Sequence, residues 1–350
     1  MRFLPRQLSA SLLVLGIAVA GVSMGEGRLP VPQVAQAAAA TSTDEPQWAV
    51  GGGRTVVAPD PLAGARLYVD PASPARREAD RLRSTDPQGA ALFDRIATRS
   101  QADWFGDWVP ASDIRAAVAT RVATIRAAGS LPVLVVYAIP GRDCGNHSAG
   151  GLATADAYRR WVAAFAEGMG TGRAAVILEP DALGQLDCLT SAQRTERLRL
   201  LADAVTVLGR TGASVYLDAG NPRWHAPAVM AERLRSANVA GARGFSLNVS
   251  NFLTTDENVR YGAAVSELVG GRSFVVDTSR NGLGPTADLE WCNPSGRALG
   301  RAPGAEPART DVDGYLWIKR PGESDGTCNG GPAAGTWWPA YARGLAERAS

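Results

Sequence analysis

From residue 111 onward the chain alternates amphipathic runs of helix length with short apolar runs that finish on a polar side chain. This alternation restricts the fold more than any other feature. Ile114, Val118, Val122 and Ile125 recur at spacings of three and four within 111–128, the pattern of a helix with one buried face. Tyr158, Trp161, Val162 and Phe165 repeat it within 155–168. Further helices are predicted at 191–208, 227–236, 258–268 and 336–348. Strands are predicted at 133–137, 175–179, 214–218, 244–248, 273–277 and 315–319. Such alternation specifies a parallel sheet with helical crossovers, and near-continuous apolar strands mean that both sheet faces are covered. The strands end on Tyr137, Glu179, Asp218, Asn248, Asp277 and Lys319. These side chains converge only if the sheet curls. The prediction is an α/β fold, a distorted and partly open parallel (β/α) barrel resembling a TIM barrel, with its site at the C-terminal strand ends. An open dinucleotide-binding sheet is disfavoured, since no Gly-rich fingerprint follows an early strand.

The 350-residue chain begins with Arg2 and Arg6, an apolar stretch over 8–22, and Ala35-Gln36-Ala37, a small-x-small cleavage pattern. The expected organisation is a secretory signal peptide over 1–37, a flexible Ala/Gly/Thr/Pro-rich lead-in over 38–59, and one catalytic domain over 60–350. The exported protein is expected in the extracellular space, free of the membrane after processing. A formal net charge of +2 with mixed signs gives no reason to invoke nucleic acid or an anionic membrane, and a monomer is expected. Four cysteines in an exported chain suggest two disulfides. Three pairings are possible; the simplest joins sequence neighbours, Cys144 to Cys188 and Cys292 to Cys328. With no CxxC and only His147 and His225, neither a metal nor a cofactor is expected. Lys319 is the only lysine, retained where arginine otherwise supplies the positive charge. That retention suggests a place where a guanidinium does not fit.

Carboxylates at strand ends without a Ser-His pairing point to acid/base chemistry on a sugar. Glycoside hydrolysis needs one carboxylic acid to protonate the leaving oxygen and a second carboxylate to attack or to activate water. Asp181 lies two residues past an apolar strand on a Pro180 turn, where burial would keep it protonated; the competing reading is a helix N-cap. Asp143, between Arg142 and Cys144, is expected to ionise easily beside the arginine and to serve as base or as a charge on Asp181. Asp325, six residues after Lys319, suits a general base or a structural salt bridge. Glu323 could bind a hydroxyl, and Glu179 could be a buried strand-end acid. Indole rings stack on the apolar faces of pyranoses, and Trp104, Trp224 and Trp291 are placed in loops beside strand ends. Trp161 and Trp317 read as core, and Trp337 and Trp338 as packing at the last helix.

These residues sit in motifs. Tyr137-Ala-Ile-Pro-Gly-Arg142-Asp143-Cys144 with Ser148-Ala-Gly-Gly151, and Ile177-Leu-Glu-Pro-Asp181-Ala-Leu-Gly184, resemble the two signatures of glycoside hydrolase family 6, the inverting β-1,4-glucanases. Agreement continues through Pro61–Asp70, Tyr216-Leu-Asp218-Ala-Gly, Gly244–Phe252, Val276–Gly282, Trp291-Cys-Asn and Trp317-Ile-Lys319 with Gly322-Glu-Ser-Asp-Gly326. The resemblance implies a distorted barrel of about seven parallel strands with a cleft across its C-terminal face. It implies Asp181 as general acid, Asp143 as the residue that raises its pKa and relays the water's proton, and Asp325 at the base position. It implies Tyr137, Trp104, Trp224, Asn248, Trp291, Lys319 and Glu323 as substrate-binding residues, supported by Arg142, Asp218 and Arg280. It also implies the pairs Cys144–Cys188 and Cys292–Cys328. Asn221 and Ala149 stand where other members carry the His and Ser that bear on water delivery. The expected activity is that of a secreted endo-β-1,4-glucanase acting on cellulose or a soluble β-glucan chain. A cellobiohydrolase and a non-catalytic glucan-binding protein are the alternatives.

Overall fold

The computed structural model describes residues 60–350. The expected signal peptide and lead-in lie outside the described residues. Two helices open the described chain, α1 (Pro74–Leu82) and α2 (Pro87–Ala97), each with proline in its first turn and capped by Ser73 and Asp86 respectively. Then follow β1 (Asp103–Gly106), α3 (Ile114–Ala127), β2 (Val133–Tyr137), α4 (Ala155–Met169), β3 (Ala175–Leu178), α5 (Ser191–Gly209) and β4 (Ser214–Asp218). The order continues with α6 (Pro227–Ser236), β5 (Gly244–Leu247), α7 (Thr255–Leu268), β6 (Ser273–Asp277), β7 (Gly304–Ala305), β8 (Val312–Leu316) and α8 (Pro339–Glu347).

The sheet order is β1-β2-β3-β4-β5-β6-β8-β7. Every pair from β1 to β8 is parallel, and the two-residue β7 lies antiparallel on β8. Seven parallel strands therefore form the expected curled sheet. β1 and β8 share no ladder. One backbone hydrogen bond, Ala102 N to Trp317 O at 3.0 Å, crosses between them. Side chains complete the seam: the Trp104 indole donates to Ile318 O (2.7 Å), and Arg320 donates to Ala102 O and Asp103 Oδ1 (both 3.0 Å).

Strand alternation divides the core. Val133, Val135, Tyr137, Ala175, Ile177 and Tyr216 face inward with Leu316 and Ile318, filling the barrel. Leu134, Val136, Val176, Leu178, Leu217 and Phe245 face outward against α3 to α7. A separate cluster joins α1, α2 and α8 around Phe93, Ile96, Trp317 and Leu345.

The alternation predicts the central elements well and their surroundings less well. α1, α2 and β1 occupy a stretch where periodicity predicts no element, and Trp104 lies within β1 rather than in a loop. The last long strand is Val312–Leu316, so Trp317, Ile318 and Lys319 lie beyond it. Glu179 and Asn248 likewise fall one residue past β3 and β5, with φ of 52° and 66°.

Two disulfides, Cys144–Cys188 and Cys292–Cys328, tie loops at the C-terminal end of the sheet, with Cα–Cα distances of 6.3 and 6.1 Å. They span 44 and 36 residues, for which the chain-entropy account gives about 4 kcal/mol each. Scanning calorimetry with and without reductant is expected to show the transition lowered by about 7 °C per bridge. An unchanged transition would mean that the folded loops hold themselves without the bridges.

Candidate active site

Left-handed backbone gathers at one end of the sheet. Asp143 (φ 57°), Cys144 (48°), Glu179 (52°), Asp181 (68°), Asn248 (66°) and Ser250 (59°) all lie in turns that follow β2, β3 and β5. For residues with a Cβ such angles cost of order 1 kcal/mol or more each, and they persist only where surrounding bonds over-determine them. Here buried carboxylates supply those bonds. Glu179 accepts from Ala138 N (3.0 Å) and Ile139 N (3.2 Å), fixing the turn after β2. Arg197, buried on α5, grips the same turn by donating to Pro140 O (2.9 Å) and Gly141 O (2.8 Å). Asp218 accepts from Asp181 N (2.9 Å), from Gly220 N (3.1 Å) and from the Ser246 hydroxyl (3.0 Å). Asp277 accepts from Ser250 N (3.1 Å), Ser279 N (2.9 Å) and Lys319 N (2.9 Å).

These turns surround a cleft of about 990 Å³ lined by Trp104, Tyr137, Asp143, Asp181, Trp224, Trp291, Lys319, Glu323 and Asp325. Asp181 is half-buried, and among the described residues no group hydrogen-bonds its carboxyl. The N-cap reading is thereby excluded: the short helical turn at Gly184–Cys188 begins from Leu183. Burial within the cleft walls holds the Asp181 pKa well above the usual carboxylate range, and the charges of Asp218, Asp143 and Asp325 add to that effect. Asp218 is itself pushed up to about 6 by burial, which the N–H groups of Asp181 and Gly220 only partly offset. Glu179 is pushed up to about 7 by burial despite the N–H groups of Ala138 and Ile139.

Asp325 behaves in the opposite way. Burial acts to raise its pKa, but Arg280 and Lys319 outweigh burial and hold it below the usual range. Oδ2 meets Arg280 Nη1 at 2.8 Å and Asn293 N at 3.0 Å, and Oδ1 lies 3.3 Å from Lys319 Nζ. Asp325 is therefore in a salt bridge, one of the two roles expected for it, and the paired cations favour its ionised form. Lys319 also donates to Ser324 O at 3.1 Å, so the sole lysine bridges the Asp325 carboxylate and the backbone of its loop at the cleft wall.

Asp143 accepts from the Gln185 amide at Oδ1 (2.8 Å) and from Ser148 N at Oδ2 (2.7 Å). Its sequence neighbour Arg142 does not pair with it. The guanidinium instead bonds Asp107 (2.5 Å), Tyr137 O (2.7 Å) and Ser148 O (2.9 Å), because the φ > 0 turn sends the two side chains apart. Among the described residues no cation forms a salt bridge with Asp143. The expectation that Arg142 ionises Asp143 is corrected on this point.

Trp104, Trp224 and Trp291 do line the cleft, with Trp104 edge-on to Tyr137 at 5.3 Å. Burial and the charges of Asp181 and Asp143 raise the Tyr137 pKa and keep its hydroxyl protonated. Arg280 is fully buried and acts through Asp325, and Asp218 acts through the Asp181 backbone. Asn248, expected to bind substrate, is not among the residues that line the cleft: its side chain is fully buried and donates to Leu253 O (3.2 Å) and Asp277 O (2.9 Å). Ser148 lines the cleft, as do Asn221 and Ala149. The sequence reading missed Gln185, whose partner lies 42 positions away, and Trp108, which falls outside every predicted element. His147 lies near the Cys292 and Cys328 sulfurs, but those are already joined, so the group offers no metal site.

The profile of glycosyl hydrolases family 6 matches residues 62–349. The chain is 46% identical over 292 residues to endoglucanase A of Cellulomonas fimi, covering 83% of this chain and 62% of that protein. It is 46% identical over 288 residues to endoglucanase 1 of Streptomyces halstedii, covering 79% and 87%. Among solved structures it is similar to the endoglucanase Cel6 of Mycobacterium tuberculosis in complex with methyl-cellobiosyl-4-deoxy-4-thio-β-D-cellobioside. That match has a TM-score of 0.79 at 49% identity and covers 82% of this chain and 98% of that one. Endoglucanase CEL6B of Humicola insolens matches with a TM-score of 0.73 at 26% identity, covering 83% and 99%. The curled parallel sheet, the cleft at its C-terminal end and a profile match across nearly all of the described residues make this chain a member of glycosyl hydrolase family 6.

Proposed function

We propose that the protein is a secreted endo-β-1,4-glucanase that hydrolyses internal bonds of cellulose or soluble β-glucan with inversion at the anomeric carbon. The observation that carries the reading is Asp181, a carboxyl free of hydrogen bonds in an indole-lined cleft, with its pKa raised by burial and neighbouring charge. A group in that state donates a proton near neutral pH. Asp181 protonates the glycosidic oxygen as the bond to the leaving chain breaks. Water attacks the opposite face of the sugar and passes its proton toward Asp143, which carries no cationic partner. Asp325, held ionised by Arg280 and Lys319, supplies negative charge beside the oxocarbenium-like centre. The other carboxylates that line the cleft, Asp143, Glu323 and Asp325, are each engaged by hydrogen bonds or ion pairs, which supports attack by water over attack by a carboxylate.

The endo mode is supported by the names of the relatives. Endoglucanases stand at 46% identity, whereas a probable exoglucanase of Podospora anserina stands at 30% and a probable cellobiohydrolase of Aspergillus terreus at 26%. Secretion is supported by the signal-like N-terminus and by two disulfides, which form in oxidising compartments. Among the described residues no helix is long and apolar enough to cross a membrane.

One digestion tests the activity. Carboxymethyl cellulose should lose viscosity long before much reducing sugar appears, and proton NMR of a cello-oligosaccharide digest should show the α-anomer first. Slow sugar release at nearly constant viscosity would mean exo action, no change would mean binding alone, and an initial β-anomer would mean a carboxylate nucleophile. A separate substitution tests the acid. Asp181→Asn should lower kcat on unactivated glucan by about 10²–10⁴-fold. Aryl cellobiosides with good leaving groups should lose far less; equal losses on both substrates would remove Asp181 from the acid role.

A further inference from the structure

We infer that Trp108 is a glucan-stacking platform that extends the substrate cleft beyond the sugar contacts described above, a proposal that rests on the β-glucanase reading. Trp108 lies two residues past β1 and lines the cleft, yet it leaves 54% of its surface in solvent. Trp291 and Trp224, exposed indoles that also line the cleft, leave 43% and 36%. So much bare indole is unfavourable in water unless a ligand covers it.

The ring is built into place from behind. A Cβ on Gly106 would fall 2.3 Å from Trp108 Cζ3 and 2.6 Å from Cη2, so only glycine leaves room for the ring to lie back on β1. The Arg142 guanidinium lies 5.6 Å from the Trp108 ring centroid and 4.4 Å from that of Tyr137. Arg142 is buried and fixed by Asp107, Tyr137 O and Ser148 O. Tyr137, Arg142 and Trp108 therefore form one stack running from the cleft floor to its rim. Its inner face is taken by the guanidinium, and the exposed surface is left to the cleft. The apolar C–H face of a β-linked glucose unit matches a flat, pre-oriented indole, and such a ring loses little entropy on binding.

Because no hydrogen bond or ring contact joins Trp108 to Asp181 among the described residues, its contacts with a sugar should be the same in the ground and transition states, and their loss should appear in KM alone. The test is steady-state kinetics on cello-oligosaccharides of increasing length with wild type, Trp108→Ala and Trp108→Tyr. The alanine variant should raise KM about three- to tenfold on the longest oligosaccharides and leave KM on the shortest cleaved substrate and kcat on all of them unchanged. The tyrosine variant should recover most of the loss. A fall in kcat at every length would instead mean that Trp108 merely steadies Arg142 and the Asp143 turn, and would overturn the proposal. A KM change independent of length, or none, would overturn it as well. Wild-type enzyme inert on the whole series would overturn the β-glucanase reading itself.

Discussion

Backbone N–H groups bonded to buried strand-end carboxylates are the interaction on which the site depends. Each carboxylate holds the turn of a neighbouring strand. Glu179, after β3, fixes the turn that leaves β2; Asp218, on β4, fixes the turn that leaves β3 and carries Asp181. Asp277, on β6, fixes both Ser250 after β5 and Lys319 after β8. The barrel thus acquires a ring of clamps running from strand to strand around its C-terminal end. Without them the left-handed turns at Asp143, Glu179 and Asp181 would lose much of what offsets their strain. The disulfides reinforce the ring from outside, tying the Asp143 turn to Cys188 and the loop after Asp325 to Cys292.

The clamps also create the electrostatics. Burying acids to hold backbone places carboxylates around Asp181 in a region where charge is poorly solvated. Asp325 is paired with Arg280 and Lys319, but Asp218 and Asp143 have no cationic partner among the salt bridges of the described residues. Their charges and burial act in the same direction, so the proton stays on Asp181. The same scaffold that fixes the geometry of the acid therefore supplies its protonation, and the two cannot be altered independently.

Much of this was legible in the sequence because strand period and strand termination are local. The apolar runs that become β2, β4 and β6 mark their own ends, and Tyr137, Asp218 and Asp277 are the last residues of those strands. What was not legible depends on neighbours. Asn248 looks like any other polar strand end, but its side chain turns inward to Leu253 O and Asp277 O. Arg142 adjoins Asp143 in sequence, yet it bonds Asp107, which follows β1, a strand too short and too mixed to announce itself. The β8 boundary was displaced because Trp317 and Ile318 are as apolar as the strand before them; the chain leaves the ladder where it turns to close the seam with Ala102 and Trp104. Gln185 carries no motif of its own, and only the fold brings it to Asp143.

The most direct test of the account is the protonation of Asp181 itself. Aspartate carboxyl carbons can be followed by NMR through a pH titration of the wild-type enzyme, with the Asp181 resonance identified by its loss in Asp181→Asn. The account predicts a resonance that titrates well above the ordinary carboxylate range and moves to lower pH in Asp143→Asn, where one of the charges holding the proton is gone. An Asp181 carboxyl that titrates like an exposed aspartate, or one indifferent to the loss of the Asp143 charge, would contradict it.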